Sequence, residues 1–381
     1  MQATSQKLEH SATFAESVNT SEVLANKSAK KPPHLLGRTT DALMIGGASL
    51  LFFAISYLFV DKNAPVNQIA WVAFYAAFII NNPHFMASYC LLYWDKRHLL
   101  LKDKRFLWAG IIAPGLVLGY MAYFIRVGGT EKLSYVVNVM YFTVGWHYIK
   151  QIYGTMLVTN ARQGYYFNST ESWILKATLY PVWFMSYTNS NQAIQSLMHY
   201  GIAYKTFQLP AWTVTASYSL MGISIVVLAA MFGRKWIKDG KIPPLSGMIS
   251  ILVIYVWYLP QLYHAVFWYT IPFFHSLQYM LFVTTLKKNQ YTAKAEAFAD
   301  PVQSRMSMAK NFFGFFALIG VMAYLSFNLV PETLDKYVPY DHNVFGPQMY
   351  MFCFITFINV HHYFIDNVIW RRDNQDLKKY L

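Results

Sequence analysis

The sequence predicts an all-α fold, a polytopic integral membrane bundle of about ten transmembrane helices. Of its 381 residues, 55% are hydrophobic and 13% are charged, whereas soluble domains carry roughly 25% charged residues. Apolar stretches long enough to cross a bilayer recur to the end of the chain, which favours many crossings over one anchor. The two cysteines, Cys90 and Cys353, lie within apolar runs. This excludes a disulfide framework and a cysteine-based metal cluster.

The chain divides into a polar tail and ten apolar segments. Residues 1–41 are rich in Ser, Ala and Lys and have no apolar core of a signal peptide, so we expect a flexible cytoplasmic tail. Residues 42–371 are expected to form one bundle, and residues 372–381 a short cytoplasmic tail. Only Leu259-Pro260 separates the seventh and eighth segments. In chain order the predicted helices are 43–60, 67–93, 106–125, 133–158, 172–188, 211–233, 245–259, 261–286, 311–329 and 347–370.

Basic residues predict the orientation of these helices. With the N-terminus inside, both tails and the loops that follow the second, fourth, sixth and eighth segments contain 24 of the 31 Lys and Arg residues; the opposite loops contain 5. The positive-inside rule then places both termini in the cytoplasm and requires an even number of crossings. The net charge of +13 lies mainly at this cytoplasmic rim, where it faces anionic headgroups. We therefore expect the lipid bilayer, and no nucleic acid, as its partner.

The 11 histidines are the main candidates for functional residues. Five of them fall in the tail, in loops or beside loops, where we expect ordinary surface residues: His10, His34, His98, His199 and His342. Six fall within predicted helices: His84, His147, His264, His275, His361 and His362.

Depth distinguishes four of these six. His84, His147 and His275 lie ten or eleven residues from the cytoplasmic ends of their segments and His362 lies eight, which places all four roughly 12–17 Å from the inner boundary. A single intramembrane histidine commonly serves as an interhelical hydrogen-bonding residue. Four in one layer are costly to bury unless something coordinates them. Imidazole is a ligand for Fe, Zn and Cu, so the sequence predicts a metal site.

Further polar residues accompany this layer. Asp366 lies one helical turn beyond His362, where its carboxylate could orient an imidazole, bind metal or pair with a basic residue at the helix end. Gln151 and Gln278 lie about one turn beyond His147 and His275, within reach of a ligand or a metal-bound water. Tyr279 could be a metal ligand, a proton donor or a packed aromatic. We favour a donor that does not bind the metal, because His362 is available at matching depth.

Several short motifs in this region occur in a distinctive order. They are Pro83-His84, His147, Trp257-Tyr258-x-Pro260, His275-Ser276 and His362-x-x-x-Asp366 followed by Arg371. The order resembles that of the Brp/Blh family of bacterial membrane β-carotene dioxygenases.

That resemblance implies a multi-helix bundle in a bacterial inner membrane. It implies non-haem iron held by histidines, with His84, His147 and His275 as ligands, and cleavage of the central double bond of β-carotene by O₂ to give retinal. The family has a second histidine in its His-Ser-x-x-His motif, whereas this chain has Tyr279 there.

Two classes of function remain open on the sequence. The first is a non-haem iron oxygenase that acts on an apolar substrate dissolved in the membrane, such as a carotenoid, another isoprenoid or an acyl chain. The second is a redox or transport protein whose histidines bind haem, hold another transition metal or relay protons.

The predicted orientation can be tested with reporter fusions. A reporter that is active only in the cytoplasm should be active when fused after Leu381 and silent when inserted near Lys336, because the basic loops lie on the side of the C-terminus. The reverse pattern would show that the segment assignment, and the shared depth of the histidines, is wrong.

Overall fold

Helices make up almost all of the structure, which is a computed structural model. It describes residues 32–59, 67–193, 198–200, 202, 203, 207, 209–259, 264 and 266–381, so most of the predicted N-terminal tail lies outside the described residues. Within these ranges the one strand pairing is a two-residue hairpin, Met198–His199 with Ile202–Ala203. The all-α class is confirmed.

Twelve helices are present in the described part of the chain when contiguous helical turns are joined. In chain order they are α1 (Arg38–Phe59), α2 (Asn67–Tyr89, continued by a π-helical turn over Cys90–Asp95), α3 (Lys104–Arg126), α4 (Thr130–Arg162), α5 (Ser169–Ala193), α6 (Trp212–Asp239), α7 (Leu245–Tyr258), α8 (Val266–Ala295), α9 (Pro301–Tyr337), α10 (His342–Phe345), α11 (Met349–Ile369) and α12 (Gln375–Tyr380). All except α10 and α12 overlap one of the ten predicted segments.

Four helices are long and apolar enough to cross a membrane, judged by length and composition among the described residues: α1, α3, α6 and α9. Most of their residues are not buried inside the bundle. Helices α2, α4, α8 and α11 each bury polar side chains, and α2 contacts α8, α9 and α11, while α4 contacts α7 and α11. An apolar exterior around a polar-lined interior is the arrangement expected in a bilayer. Ten crossings remain a prediction.

Helix irregularities occur next to the polar interior. Pro83 and Pro272 lie inside α2 and α8, and a proline in a helix leaves one carbonyl without its usual partner. A π-helical turn in α1, Leu43–Gly47, also disturbs the hydrogen-bond ladder. There the Ile45 carbonyl accepts a 2.7 Å hydrogen bond from Gln278 Nε2 on α8. The irregular turn of α1 is thereby tied to a helix that carries three of the predicted site residues, His275, Gln278 and Tyr279.

A carboxylate from a neighbouring helix fixes the start of α11. Asp335 on α9 accepts hydrogen bonds from the backbone N–H groups of Tyr350 and Met351, at 2.7 and 3.0 Å. These N–H groups have no partner within their own helix, and their positive end favours a carboxylate. The contact sets the position of the helix that carries His362 and Asp366.

The close approach of α1 to α7 depends on Gly46. A Cβ atom at this position would lie 2.6 Å from Cγ2 and 2.8 Å from Cβ of Val253, which is fully buried on α7. Those distances are far below van der Waals contact. A side chain here would push the two helices apart or displace Val253.

We expect Gly46→Ala to lower the free energy of unfolding by about 1–3 kcal/mol, the usual cost of overpacking a core. Gly222 on α6 is the matched control, because a Cβ there meets nothing within 4 Å. Gly222→Ala should be neutral or slightly stabilising, since alanine is the better helix former. Thermal unfolding in detergent measures both. Equal midpoints for the two variants would contradict the close packing of α1 on α7.

Candidate metal centre

Four histidine rings from four helices meet in the interior of the bundle. They are His84 on α2, His147 on α4, His275 on α8 and His362 on α11, each 6% exposed or less. Going around the ring from His84 through His362, His147 and His275 back to His84, neighbouring centroids are 4.7, 4.9, 4.9 and 5.2 Å apart. The four residues predicted to share one depth are therefore brought together.

The spacing of the ring nitrogens within each of two histidine pairs suits coordination of a shared ion. The Nε2 atoms of His84 and His362 are 3.2 Å apart, and those of His147 and His275 are also 3.2 Å apart. Two imidazole nitrogens bound at about 2.1 Å to one ion, at angles of 90–110°, are separated by about 3.0–3.4 Å. Both pairs fall within that interval.

Asp366 adds a carboxylate to the cluster. Its Oδ2 lies 3.3 Å from His362 Nε2 and 3.7 Å from His147 Nε2. This oxygen is buried and has no hydrogen-bond partner among the described residues. Two overlapping groups have donor atoms that all lie within 4.8 Å of one another: His84, His275 and His362, and His147, His362 and Asp366. A carboxylate oxygen without a partner and two imidazole nitrogens next to it are a donor set that could bind a divalent cation.

Hydrogen bonds fix the orientation of His84. Its Nδ1 lies 2.5 Å from the Asn81 carbonyl and 2.8 Å from Ser276 Oγ. A proton on Nδ1 can be donated to the carbonyl oxygen, which leaves the lone pair on Nε2 directed at the other histidines. Ser276 is held in turn by the carbonyl of Pro272, to which it donates at 2.7 Å. The chain thus prepares His84 as an Nε2 ligand.

A second group of hydrogen bonds orients Asp366. Its Oδ1 accepts from Ser88 Oγ at 2.8 Å and from the Tyr279 hydroxyl at 3.1 Å. Tyr279 also lies 2.5 Å from Ser88 Oγ and accepts from the Trp370 indole N–H at 3.1 Å. With Oδ1 held in this way, Oδ2 points towards the histidines. The Tyr279 hydroxyl therefore contacts Asp366, and its role as a donor that does not bind the metal stays a prediction.

The two predicted glutamines contact each other and the backbone. Gln151 Nε2 donates to Gln278 Oε1 at 2.8 Å and to the His275 carbonyl at 3.0 Å. The side-chain amide of Gln278 donates to the Ile45 carbonyl, as described above. Their amide groups brace α8 against α4 and α1. No described hydrogen bond joins either glutamine side chain to an imidazole of the cluster.

The structure separates the adjacent pair His361 and His362. His361 faces away from the cluster, with Nδ1 2.8 Å from the Tyr89 hydroxyl and Nε2 3.1 Å from the Ala109 carbonyl. His264 is buried but is not part of either candidate metal group. A variant at His361 is thus the matched control for one at His362. The two residues are adjacent and both buried, but only His362 faces the cluster.

Sequence reasoning assigned no role to three residues that shape the site. Ser88 lies one turn beyond His84, Ser276 follows His275 directly, and Trp370 lies one turn beyond Asp366. Spacing places each on or next to the face of a predicted ligand. Their partners, however, come from other helices, which spacing along one helix does not reveal.

Comparisons of the chain with protein-family models, with curated proteins and with solved structures return no match. The geometry of the site therefore carries the functional argument.

We expect Tyr279→Phe to retain the bound metal, because its hydroxyl contacts Asp366 and not the ligand nitrogens. Asp366→Asn should weaken metal binding about 10–100-fold, since it changes the group that faces them. Metal content and the spectrum of the Co²⁺-substituted protein measure both effects. A shifted spectrum with full metal content is expected for Tyr279→Phe. Loss of metal from this variant would make Tyr279 a ligand, and an unchanged spectrum would make it only a packing residue.

Proposed function

We propose that the protein is a membrane-embedded non-haem iron oxygenase acting on an apolar substrate from the lipid phase. The observation that carries the proposal is the clustering of four buried imidazoles and one unpartnered carboxylate oxygen, whose donor atoms form two overlapping groups. A possible buried metal site in a helical membrane protein is the part that the geometry supports directly. The identity of the metal and the reaction are the proposal.

The donor set favours iron among the candidate metals. The ligands are imidazole nitrogens and one carboxylate oxygen, and neither cysteine belongs to the described metal groups. Imidazole with carboxylate is the ligand combination of non-haem iron oxygenases, whereas thiolate ligands are typical of iron–sulfur clusters and structural zinc. The positions of the histidines are also consistent with the resemblance to the Brp/Blh family. The same donor atoms also suit zinc or copper, and metal analysis of the purified protein distinguishes these from iron.

Burial of the unbound cluster would be costly. His275 Nδ1, His362 Nδ1 and Asp366 Oδ2 are all buried without a hydrogen-bond partner among the described residues. Each such group costs about 1–3 kcal/mol. A metal bound by Oδ2 would give that oxygen a partner directly, and bonds from the metal to the Nε2 atoms would offset the cost of burying the imidazoles. The arrangement is therefore better explained as a binding site than as four packed histidines.

The haem alternative fits this geometry less well. A haem with two histidine ligands needs them on opposite faces of a wide planar ring. Here each imidazole is in edge contact with its neighbours, and His147 is 4.9 Å, centroid to centroid, from both His275 and His362. The rings surround a point and leave no slot for a macrocycle between them.

Bound iron would supply an open coordination position at which O₂ reacts. The chain's own residues hold the ligands and keep bulk water out. The Phe85 ring lies 4.8 Å from His362 and the Tyr148 ring lies 4.3 Å from His275, both as centroid distances. Ser88 and Tyr279 hold Asp366 by one oxygen and leave the other directed at the cluster. A dry, preorganised site of this kind suits oxidation of a hydrocarbon chain or polyene.

The cellular context is part of the same proposal. We propose ten membrane crossings in a bacterial inner membrane, with both termini in the cytoplasm, on the basis of the segment pattern and the basic loops. The four long apolar helices support placement in a membrane. The substrate class proposed is a carotenoid, another isoprenoid or an acyl chain, with O₂ as co-substrate.

Purified protein should contain tightly bound iron, and alanine at His84, His147, His275 or His362 should remove most of it. His361→Ala is the matched control and should retain the metal, since its ring faces Tyr89 and Ala109. His264→Ala and His199→Ala should also retain it, because neither lies in the predicted layer. Elemental analysis of detergent-purified protein gives the metal content.

Two outcomes would count against this proposal. Equal metal content in His361→Ala and His362→Ala would remove the cluster as the binding site. A strong Soret absorption in the purified protein would identify haem and favour the redox or transport alternative.

A further inference from the structure

A cleft opens beside the candidate metal centre. Its volume is about 360 Å³, and it lies between the start of α3, the middle of α4 and the end of α11. That volume is within the range of small-molecule sites, which is about 300–1,000 Å³. The proposed function does not assign this cleft a ligand.

The inner wall of the cleft adjoins the histidine cluster. Tyr363 lines the cleft, and its ring packs against His147 with centroids 4.9 Å apart and planes 34° apart. Thr143, one turn away from His147 on α4, lines it as well. One aromatic ring therefore separates the cleft from a candidate metal ligand.

The middle of the cleft is aromatic and apolar. Trp108 on α3, Trp146 on α4 and Phe364 on α11 line it, together with Val368. Apolar walls of this kind bind a hydrocarbon chain. Asn367 is the polar exception, and Lys150 donates to its side-chain oxygen while lying 4.2 Å from the centre of the Trp146 ring.

The outer rim of the cleft is cationic. Lys104 and Arg371 line it and are exposed, and Lys104 forms no ion pair with any described residue. Arg371 has one described ion pair, a 3.3 Å contact from Nε to Asp373. The terminal nitrogens of its guanidinium group have no described partner. Two basic groups thus remain available at the mouth of an apolar cleft.

The third basic residue of the rim is neutralised. Arg105 contacts Asp103 and Asp373, each at 2.7 Å. Its hydrogen bonds lower the pKa of the Asp103 carboxyl to about 2, so both partners are charged at neutral pH. Arg105 is therefore committed to protein carboxylates, in contrast to Lys104 and Arg371.

The distance from rim to inner wall suits an amphiphile. Tyr363 lies six residues, roughly 9 Å along the helix axis, before the end of α11 at Ile369, and Arg371 follows two residues later. A headgroup at the rim would place its chain against Tyr363. A ligand with charge at one end and hydrocarbon at the other matches both ends of the cleft.

We infer that the cleft binds an amphiphile with one hydrocarbon chain and an anionic headgroup, a carboxylate or a phosphate, held by Lys104 and Arg371. The chain follows the two tryptophans and ends at Tyr363. This inference deepens the proposed function, on which it rests for the reaction, because it names an anionic lipid as the substrate class of the site.

Tryptophan quenching tests the inference directly. Detergent-purified protein is titrated with a bromine-labelled fatty acid and with its methyl ester, because bromine quenches tryptophan fluorescence on contact. The acid should bind more tightly than the ester. Lys104→Gln/Arg371→Gln should weaken binding of the acid about tenfold or more, the effect expected for loss of charge-assisted hydrogen bonds, and should leave the ester unchanged.

Lys102→Gln/Arg372→Gln is the matched control. It removes the same charge from neighbouring exposed positions that do not line the cleft. Equal weakening in both double variants would show a general attraction to the basic surface and would overturn the inference. Equal binding of acid and ester would overturn it as well.

Competition distinguishes the two headgroups. Displacement of the bromine-labelled acid by dodecanoate alone would indicate a carboxylate site, and displacement by dodecyl phosphate would extend it to phosphate. Equal displacement by inorganic phosphate would indicate a simple anion site and contradict the need for a chain. Iron content is measured in the same preparations. Wild-type protein that contains iron but does not bind the acid would overturn only this inference. Wild-type protein that binds the acid but contains no iron would overturn only the proposed function.

Discussion

The burial of four imidazoles and a carboxylate at one point is the constraint on which the rest of the site depends. In an apolar interior, each unpaired polar atom is costly, so the surrounding helices must either supply partners or leave the atoms for a ligand. The structure does both. Asn81 and Ser276 occupy Nδ1 of His84, and Ser88 and Tyr279 occupy one oxygen of Asp366. The Nε2 atoms and the other carboxylate oxygen remain directed at a shared centre.

This constraint also accounts for irregular features of the bundle. Helices α2 and α8 contain prolines close to their histidines, and α1 contains a π-helical turn whose Ile45 carbonyl accepts from Gln278. Each of these irregular turns lies next to a polar contact of the cluster or of its supporting residues. Asp335 fixes α11 from outside the site in a comparable way. The backbone departs from regular geometry where it supports the cluster, and the four most apolar long helices lie around it.

Two environments therefore meet at α11. One face of this helix presents His362 and Asp366 to the cluster, and another presents Tyr363, Phe364 and Asn367 to the cleft. Because Tyr363 contacts His147 as well, the wall between cleft and cluster is a single ring. The basic rim lies at the end of the same helix, on the side that the distribution of Lys and Arg predicts to be cytoplasmic. A ligand entering from that interface would come within one aromatic ring of the cluster without crossing the apolar exterior.

Much of this protein follows from its sequence alone, because helix geometry is local. Apolar segment length predicted the helices, and the distance of each histidine from the end of its segment predicted that His84, His147, His275 and His362 would lie at one depth. Distinguishing His361 from His362 required the tertiary structure, since adjacent residues on a helix differ by about 100° in direction and only the neighbouring helices show which one faces the cluster. The contact between Tyr279 and Asp366 also required the tertiary structure, because the distance between these residues depends on how α8 packs beside α11. Depth is a one-dimensional quantity that a sequence records, whereas the direction in which a side chain points relative to another helix is decided by packing.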